Sequence, residues 1–542
     1  MFSKTYLFSR NLLLLLLLPL IYSVNGQGSF QFERLDSSDG LSDNQAICIH
    51  QDKEGFVWIG TYSGLNRYDG NSFKTFQQER SNNTPVNDQV VMVIEEDNYG
   101  HLWLEGYAGT YRMFDKSTHQ TKVFPNDFGY YPTIPNQKLF LHKDGFAVVA
   151  LKEFGVFVID IKENPGALVG KFLFDEEILK ENLTIFSVYA RDRNTIWLST
   201  ATGPLQLKVN PVSSDYQYTF LAKPQNRPNS ARHYQTAASL FFTVPDRGLS
   251  IVDLTTGTTK MIESIDGISI KNTLNVTGSQ NQLWISTVDQ GIVGISEDGQ
   301  ELLFQIKNLH NTPLKNILKL YADKKGNLWF YAAQHQEFVC YNTKKAKIRT
   351  FFFPTTQSNL LQNPGNLLKF FEEDSAGNIW IGTEEDGAFF YDYSSGQAQK
   401  IRNDSKMNTS LIANSILSFQ EDQNNTIWIG TKFGISKRSL KKSNFSLLVH
   451  NSDALNQFDN RTDGLFKDSF GNLWCSSQSG ELYVYNNQLQ LQHVFPDKQK
   501  TSGFDYSFVF SFCEDSKGRL WIGTKGEGLY LLDLKKYAGN LD

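Results

Sequence analysis

Nine tryptophans fall at positions 58, 103, 197, 284, 329, 380, 428, 474 and 521, and most of the gaps between them are 45 to 51 residues. The two long gaps, of 94 and 87 residues, are each two periods. Val148 and Phe242 stand where a tryptophan is due, each followed at the usual distance by a glycine, Gly155 and Gly248. Eleven repeats result. The 463 residues from Trp58 to Trp521 make ten steps of about 46. A chain with such a period builds like units that bury their apolar faces against neighbours.

The repeat has a readable anatomy. Its clearest copies are Asp52 to Thr61 (DKEGFVWIGT) and Asp515 to Thr524 (DSKGRLWIGT); Asp374 to Thr383 matches, and Asp422 to Thr431 carries Asn425 in place of glycine. An apolar run precedes each Asp, a second Gly follows most of the tryptophans six or seven residues on, and a third run often ends in Asp, as in Gly64 to Asp69. Asp-x-x-Gly between apolar runs is a hairpin turn: Asp bonds nearby amides and Gly or Asn takes the positive φ. The tryptophan offers a broad face for packing against the next unit. Four strands of about five residues plus tight turns fill such a period, which is one blade of a β-propeller. Helical repeats of similar length need i, i+3, i+4 patterning and few glycines, whereas here Gly recurs at two fixed points among β-branched and aromatic runs. The Asp precedes Trp by six residues, not the five of the sialidase-type Asp box. The expected fold is therefore all-β, with about eleven four-stranded blades. Trp58, Trp380, Trp428 and Trp521 are expected to be buried between blades.

Composition agrees. Aromatic residues are 13%, hydrophobic residues 40% and charged residues 20%, a globular and β-leaning balance. Net charge is −5, so no electrostatic footprint for nucleic acid exists. At the N-terminus, Lys4 and Arg10 precede the run Leu12 to Leu18, and small or polar residues follow from Ser23 to Gly28. This reads as a signal peptide over 1–26, with an apolar core too short to span a bilayer. Cys48, Cys340, Cys475 and Cys513 lie in apolar strand-like runs without CxxC spacing and are expected to be buried free thiols.

Asp39-Gly40-Leu41-Ser42, with Asn44 and then the D-x-x-G-x-[VL]-W-I-G-T frame and Gly64-Leu65-x-Arg67-Tyr68-Asp69, resembles the two-component regulator propeller repeat. The resemblance covers about residues 30–535. It implies the periplasmic sensor region of a hybrid two-component histidine kinase of the Bacteroidetes type. Such sensors are similar in having two seven-bladed propellers, an immunoglobulin-like domain, a membrane helix and a cytoplasmic kinase, and they typically sense oligosaccharides. It further implies an inner-membrane anchor for the full-length family and homodimerisation through downstream domains. The sequence stops at Asp542 inside the eleventh repeat, which reads as a sensor region cut short before its kinase. On this reading 27–350 is a seven-bladed ring and 351–542 holds blades 8–11 of an incomplete second ring. The break is placed at the 51-residue spacing between Trp329 and Trp380, which contains Asn363-Pro364-Gly365. The alternative is a free-standing secreted lectin or scaffold.

Repeats 3–6, centred on Val148, Trp197, Phe242 and Trp284, have lost the Asp and mostly the Gly. Drift in a stable array and reshaping for a ligand both account for that. No nucleophile elbow, HExxH, P-loop or zinc-ligand spacing occurs, so no catalytic residues, no metal and no cofactor are expected. Glu95-Glu96 and Glu372-Glu373 sit just before the Asp turn and read as solvated turn charge, whereas Glu384-Glu385 follows the Trp strand. Binding belongs on the turns between strands two and three, which share a face with the blade connections. The candidates for an oligosaccharide or other small ligand are Glu105, Tyr107, Lys152, Glu153, Arg247, Asp289, His335, Gln336, Glu384, Glu385, Lys432 and Lys525.

Overall fold

In the computed structural model the described residues are 30–77, 89–106, 111–124, 138–151, 154–176, 178, 184–210, 215–221, 233–244, 246–279, 281–317, 319–353, 368–439, 462–477, 481–495, 509–526 and 528–537. The signal-peptide reading and the segment around Asn363-Pro364-Gly365 lie outside them. Strand dominates; the helical exceptions with full bounds are a 3-10 turn, Ser37–Asp39, and a single turn, Leu534–Tyr537. Ten antiparallel sheets have four strands and one has three, and two short hairpins stand apart. We number the sheets 1–11 by their repeats. Val148 and Phe242 occupy the second strands of sheets 3 and 5, Phe146–Leu151 and Ser239–Val244, as the missing tryptophans should.

One frame explains the regularity. In sheet 8, Asp374 Oδ1 accepts the N–H of Asn378, Gly377 takes φ +82°, and Asp374 Oδ2 accepts the indole N–H of Trp380 at 2.9 Å. The same Asp-to-Trp bond, at 2.7–3.0 Å, recurs at Trp58, Trp103, Trp329, Trp428, Trp474 and Trp521. The six-residue spacing thus lets one carboxylate fold the hairpin with one oxygen and satisfy a buried indole with the other. Sheets 4 and 6 lack that Asp. Trp197 and Trp284 are as deeply buried, yet their indole N–H groups have no hydrogen-bond acceptor among the described residues. Packing alone therefore keeps the ring inside.

Neighbouring sheets join by repeated contacts. The N–H of Lys53, just after the turn Asp of sheet 1, donates to Glu96 of sheet 2 at 3.0 Å. Lys324 to Glu373, Ser375 to Glu421 and Ser469 to Glu514 repeat it between sheets 7 and 8, 8 and 9, and 10 and 11. Glu96 and Glu373, read from sequence as solvated charge, are interblade acceptors instead. The Trp58 ring meets Phe114 of sheet 2 edge-on at 5.6 Å, and Trp329 meets Tyr391 of sheet 8 at 5.2 Å. The Gly of Trp-Ile-Gly-Thr admits close approach: a Cβ at Gly60 would lie 2.6 Å from the Val91 carbonyl oxygen of sheet 2.

Sheet 9 makes this same interface with sheet 1. Gln423 N–H donates to Gln51 at 2.6 Å, Trp428 meets Tyr68 at 5.3 Å, and a Cβ at Gly430 would lie 2.5 Å from the Ala46 carbonyl oxygen. Ala46 N–H reaches Thr431 O just as Val91 N–H reaches Thr61 O, both at 3.0 Å. The N-terminal strand Glu33–Leu35 completes sheet 9, pairing with Gly434–Ser439, and Arg34 is tied to the carbonyls of Met407, Ser410 and Leu411. Shared contacts and cores link sheets 1 to 9 in order and return from 9 to 1. The closure thus runs over residues 33–439, which differs from the expected seven-sheet ring ending at 350. The physical reason is that the junction of sheet 9 with sheet 1 repeats the chemistry of the junction of sheet 1 with sheet 2, so spacing along the sequence carries no information on which sheet meets the first.

Sheets 10 and 11 pack on each other through Trp474, Leu482, Val509 and Leu520. Sheet 11 has three described strands. Trp521 is only half-buried, against expectation, because no described sheet covers its outer face. Cys513 lies directly opposite Trp521 and is exposed for the same reason. All four cysteines are free; Cys340 and Cys475 are buried as expected, and burial pushes the Cys340 thiol up to about 12.

Candidate ligand-binding site

The turn between strands two and three is built by the last residue of the Trp strand. In sheet 8 the Thr383 hydroxyl donates to Gly387 O at 2.6 Å and accepts Asp386 N–H at 3.0 Å. This tight loop holds Glu384 and Glu385 half-buried. Glu384 pairs with Lys369 beside it and with Lys432 of sheet 9 at 3.2 Å. Burial would raise the Glu384 carboxyl, and the two ammonium groups more than offset this and hold it below its ordinary range. Next to it Asp386 is fully buried and faces Lys400 at 3.4 Å and Arg402 at 3.8 Å.

The other candidates are spread over separate sheets. Glu105 lies across the strand from Tyr111, and burial raises its carboxyl. Arg247 bonds Glu263 at 3.4 Å, and Glu263 also holds Lys271 at 3.0 Å. Asp289 is exposed and takes a bond from Gln290. His335 stacks edge-on against His310 at 5.4 Å, and Gln336 adopts φ +53° with its carbonyl accepting Phe353 N–H. Lys525 is exposed. Tyr107, Lys152 and Glu153 lie outside the described residues. Of the twelve, Glu384 and Lys432 are the pair that the structure brings into direct contact among the described residues.

Two concavities lie elsewhere, between adjacent sheets. One, of about 210 Å³, sits between sheets 1 and 2 and is walled by Phe76, Phe114 and His119, with Gln77, Gln89 and Arg112 at its polar side. Phe76 and Phe114 rings stand 5.2 Å apart, and His119 lies 5.0 Å from Phe76. The other, of about 350 Å³, sits between sheets 7 and 8 and is lined by Asn327, Cys340, Asn342, Lys345, Lys347, Arg349, Tyr391 and Tyr393. None of the twelve sequence candidates lines either one. The missed signal was the alternating Lys345-x-Lys347-x-Arg349, in which Lys347 and Arg349 share one face of an outer strand.

Known proteins share parts of this sequence pattern. The family model described as the two component regulator propeller matches residues 40–63, 410–433 and 503–526, which are the frames of sheets 1, 9 and 11. The chain thus carries two-component regulator propeller repeats. A histidine kinase of Formosa agariphila is 39% identical over 69 residues, 12% of this chain and 5% of that protein. Among solved structures, the extracellular domain of a B. thetaiotaomicron protein described as a one component system is 15% identical. It aligns over 95% of this chain and 60% of its own, with a TM-score of 0.38. That of a B. thetaiotaomicron protein described as a hybrid two component system is 19% identical over 95% of this chain and 72% of its own, with a TM-score of 0.32. No helix among the described residues is long and apolar enough to cross a membrane.

Proposed function

We propose that this chain is the exported, ligand-sensing region of a two-component signal transduction system, and that its ligand is an oligosaccharide released from a polysaccharide. The regulator-propeller repeat carries this reading, because that repeat is named for such regulators. The apolar Leu12 to Leu18 run supports export to the periplasm. The clefts between sheets support binding without chemistry: they offer ring faces, amides and cations, and no paired nucleophile and base.

The test is a thermal-shift titration of the whole chain against a panel of neutral and charged oligosaccharides, with reducing-end release followed in parallel. A ligand that binds only the folded state raises Tm, by an amount that grows with the logarithm of its concentration once that exceeds Kd. Binding with no new reducing ends is expected. Release of new ends would overturn the sensor reading in favour of an enzyme.

A further inference from the structure

The 350 Å³ cleft between sheets 7 and 8 has an unusual balance of donors and acceptors. Its acceptors are spent internally. Asp323, buried at its base, takes the indole of Trp329, the backbone N–H and amide of Asn327, and the Tyr393 hydroxyl. Asn327 Oδ1 takes Asn342 Nδ2 at 2.6 Å, and Asn342 Oδ1 takes the Lys345 N–H at 2.8 Å. The Tyr393 oxygen accepts from Asn327, and the Tyr391 oxygen accepts from Arg349 at 3.0 Å.

The donors are largely unspent. No carboxylate pairs with Lys345, Lys347 or Arg349 among the described residues, although Lys116, Lys369, Arg247 and Arg402 elsewhere in the fold do find acids. Arg349 commits one of its five N–H donors, to Tyr391. Tyr391 is 2% exposed, and its own hydroxyl hydrogen has no acceptor among the described residues. Solvated lysines on an outer strand serve to protect a sheet edge. That role does not account for Arg349 being drawn onto a buried tyrosine of the next sheet.

We propose that this cleft binds a ligand bearing an oxyanion, a carboxylate, sulfate or phosphate, with the charged group seated against Lys347 and Arg349 and accepting from the Tyr391 hydroxyl. Guanidinium and ammonium groups on one strand face suit planar or tetrahedral oxyanions. The volume falls within the range that holds small ligands, with room for a charged sugar ring. The proposal narrows the sensing reading to acidic ligands and rests on it for the saccharide alone; oxyanion binding stands without it.

The experiment is calorimetric titration of the whole chain with three probes: an oligogalacturonate, a sulfated disaccharide and inorganic phosphate. A neutral oligosaccharide of the same length serves as the reference. Binding of at least one anionic probe, weakened by added salt and lowered about tenfold in the Lys347→Gln/Arg349→Gln double variant, is expected. The probe that binds tells carboxylate from sulfate and free from sugar-borne anion. Should the double variant melt early, Lys345→Gln, on the exposed turn, is expected to weaken the same probe by about threefold at unchanged Tm. No anionic binding, or binding equal in wild type and variants, overturns the assignment. A neutral glycan that binds with the anion probes silent would sink the cleft while leaving the sensing reading intact.

Discussion

Trp428 and Trp521 stand in the same frame, each six residues after an Asp and each followed by Ile-Gly-Thr, and each indole bonds its Asp at 3.0 Å. Trp428 is nevertheless buried between sheets 9 and 1, and Trp521 is half-open. Sheet 9 has Tyr68 and the Ala46 backbone of sheet 1 against its tryptophan side; sheet 11 leaves Leu529 and Leu531 exposed at 62% and 47%. The local motif folds the hairpin and satisfies the indole in both. Burial is conferred by the neighbour. Energy in such an array therefore resides in the junctions, as expected for units that contact mainly their nearest neighbours.

The largest test of that difference is truncation. Trp428→Ala should cost about 3–5 kcal/mol in a chemical denaturation series. Trp521→Ala should cost no more than about 2, because less apolar surface is buried there. Equal losses would mean that sheet 11 is covered in solution after all.

Removing the frame carboxylate comes next. Asp374→Ala leaves a buried indole and a turn amide without their acceptor and should cost about 1–3 kcal/mol. A subtler pair sharpens the role of the bond itself. Trp380→Phe discards a satisfied indole, while Trp284→Phe discards one that has no acceptor among the described residues. The first should be the more destabilising by about 1 kcal/mol, read from denaturation midpoints. A reversed order would show that water or an undescribed residue satisfies Trp284.

Acid sensitivity separates two carboxylates of sheet 2. Burial alone would raise Asp97, yet bonds from His101, Trp103 and the backbone outweigh it and hold it below 3.8. Its contribution is present above that value and is lost as pH falls through the folded pKa. Burial raises half-buried Glu105, so its contribution is present below 4.5 and is lost as pH rises through the folded pKa. Asp97→Asn should lower Tm at about pH 7 and flatten its fall in acid, whereas Glu105→Gln should raise Tm at about pH 7 and leave it unchanged at about pH 4. The smallest effect belongs to the interblade bond. Glu421→Ala frees the Ser375 amide to water and should cost about 0.5–1 kcal/mol.

The site was less legible than the fold. The residues singled out on the turns come from different sheets, and Glu384 with Lys432 is the one described pair that meets. The sheet 7–8 cleft draws Asn327 and Arg349 from one repeat and Tyr391 and Tyr393 from the next, more than 40 positions along the chain. A reading made repeat by repeat cannot see a cavity that exists between repeats.

What the sequence determined by itself is what acts within about ten residues. Asp-x-x-Gly sets the turn, Trp six positions on gives the strand its packing face, and Gly in Trp-Ile-Gly-Thr lets the next sheet approach. Even Val148 and Phe242 could be placed, because strand period and turn spacing survive the loss of the tryptophan. Tertiary structure alone decided which sheet closes on which. Strand Glu33–Leu35 lies about 400 residues from its partner Gly434–Ser439, and the junction of sheet 9 with sheet 1 offers the same amide, aromatic and glycine contacts as that of sheet 1 with sheet 2. With interfaces so alike, closure depends on the angle accumulated from sheet to sheet, a quantity that no local pattern encodes.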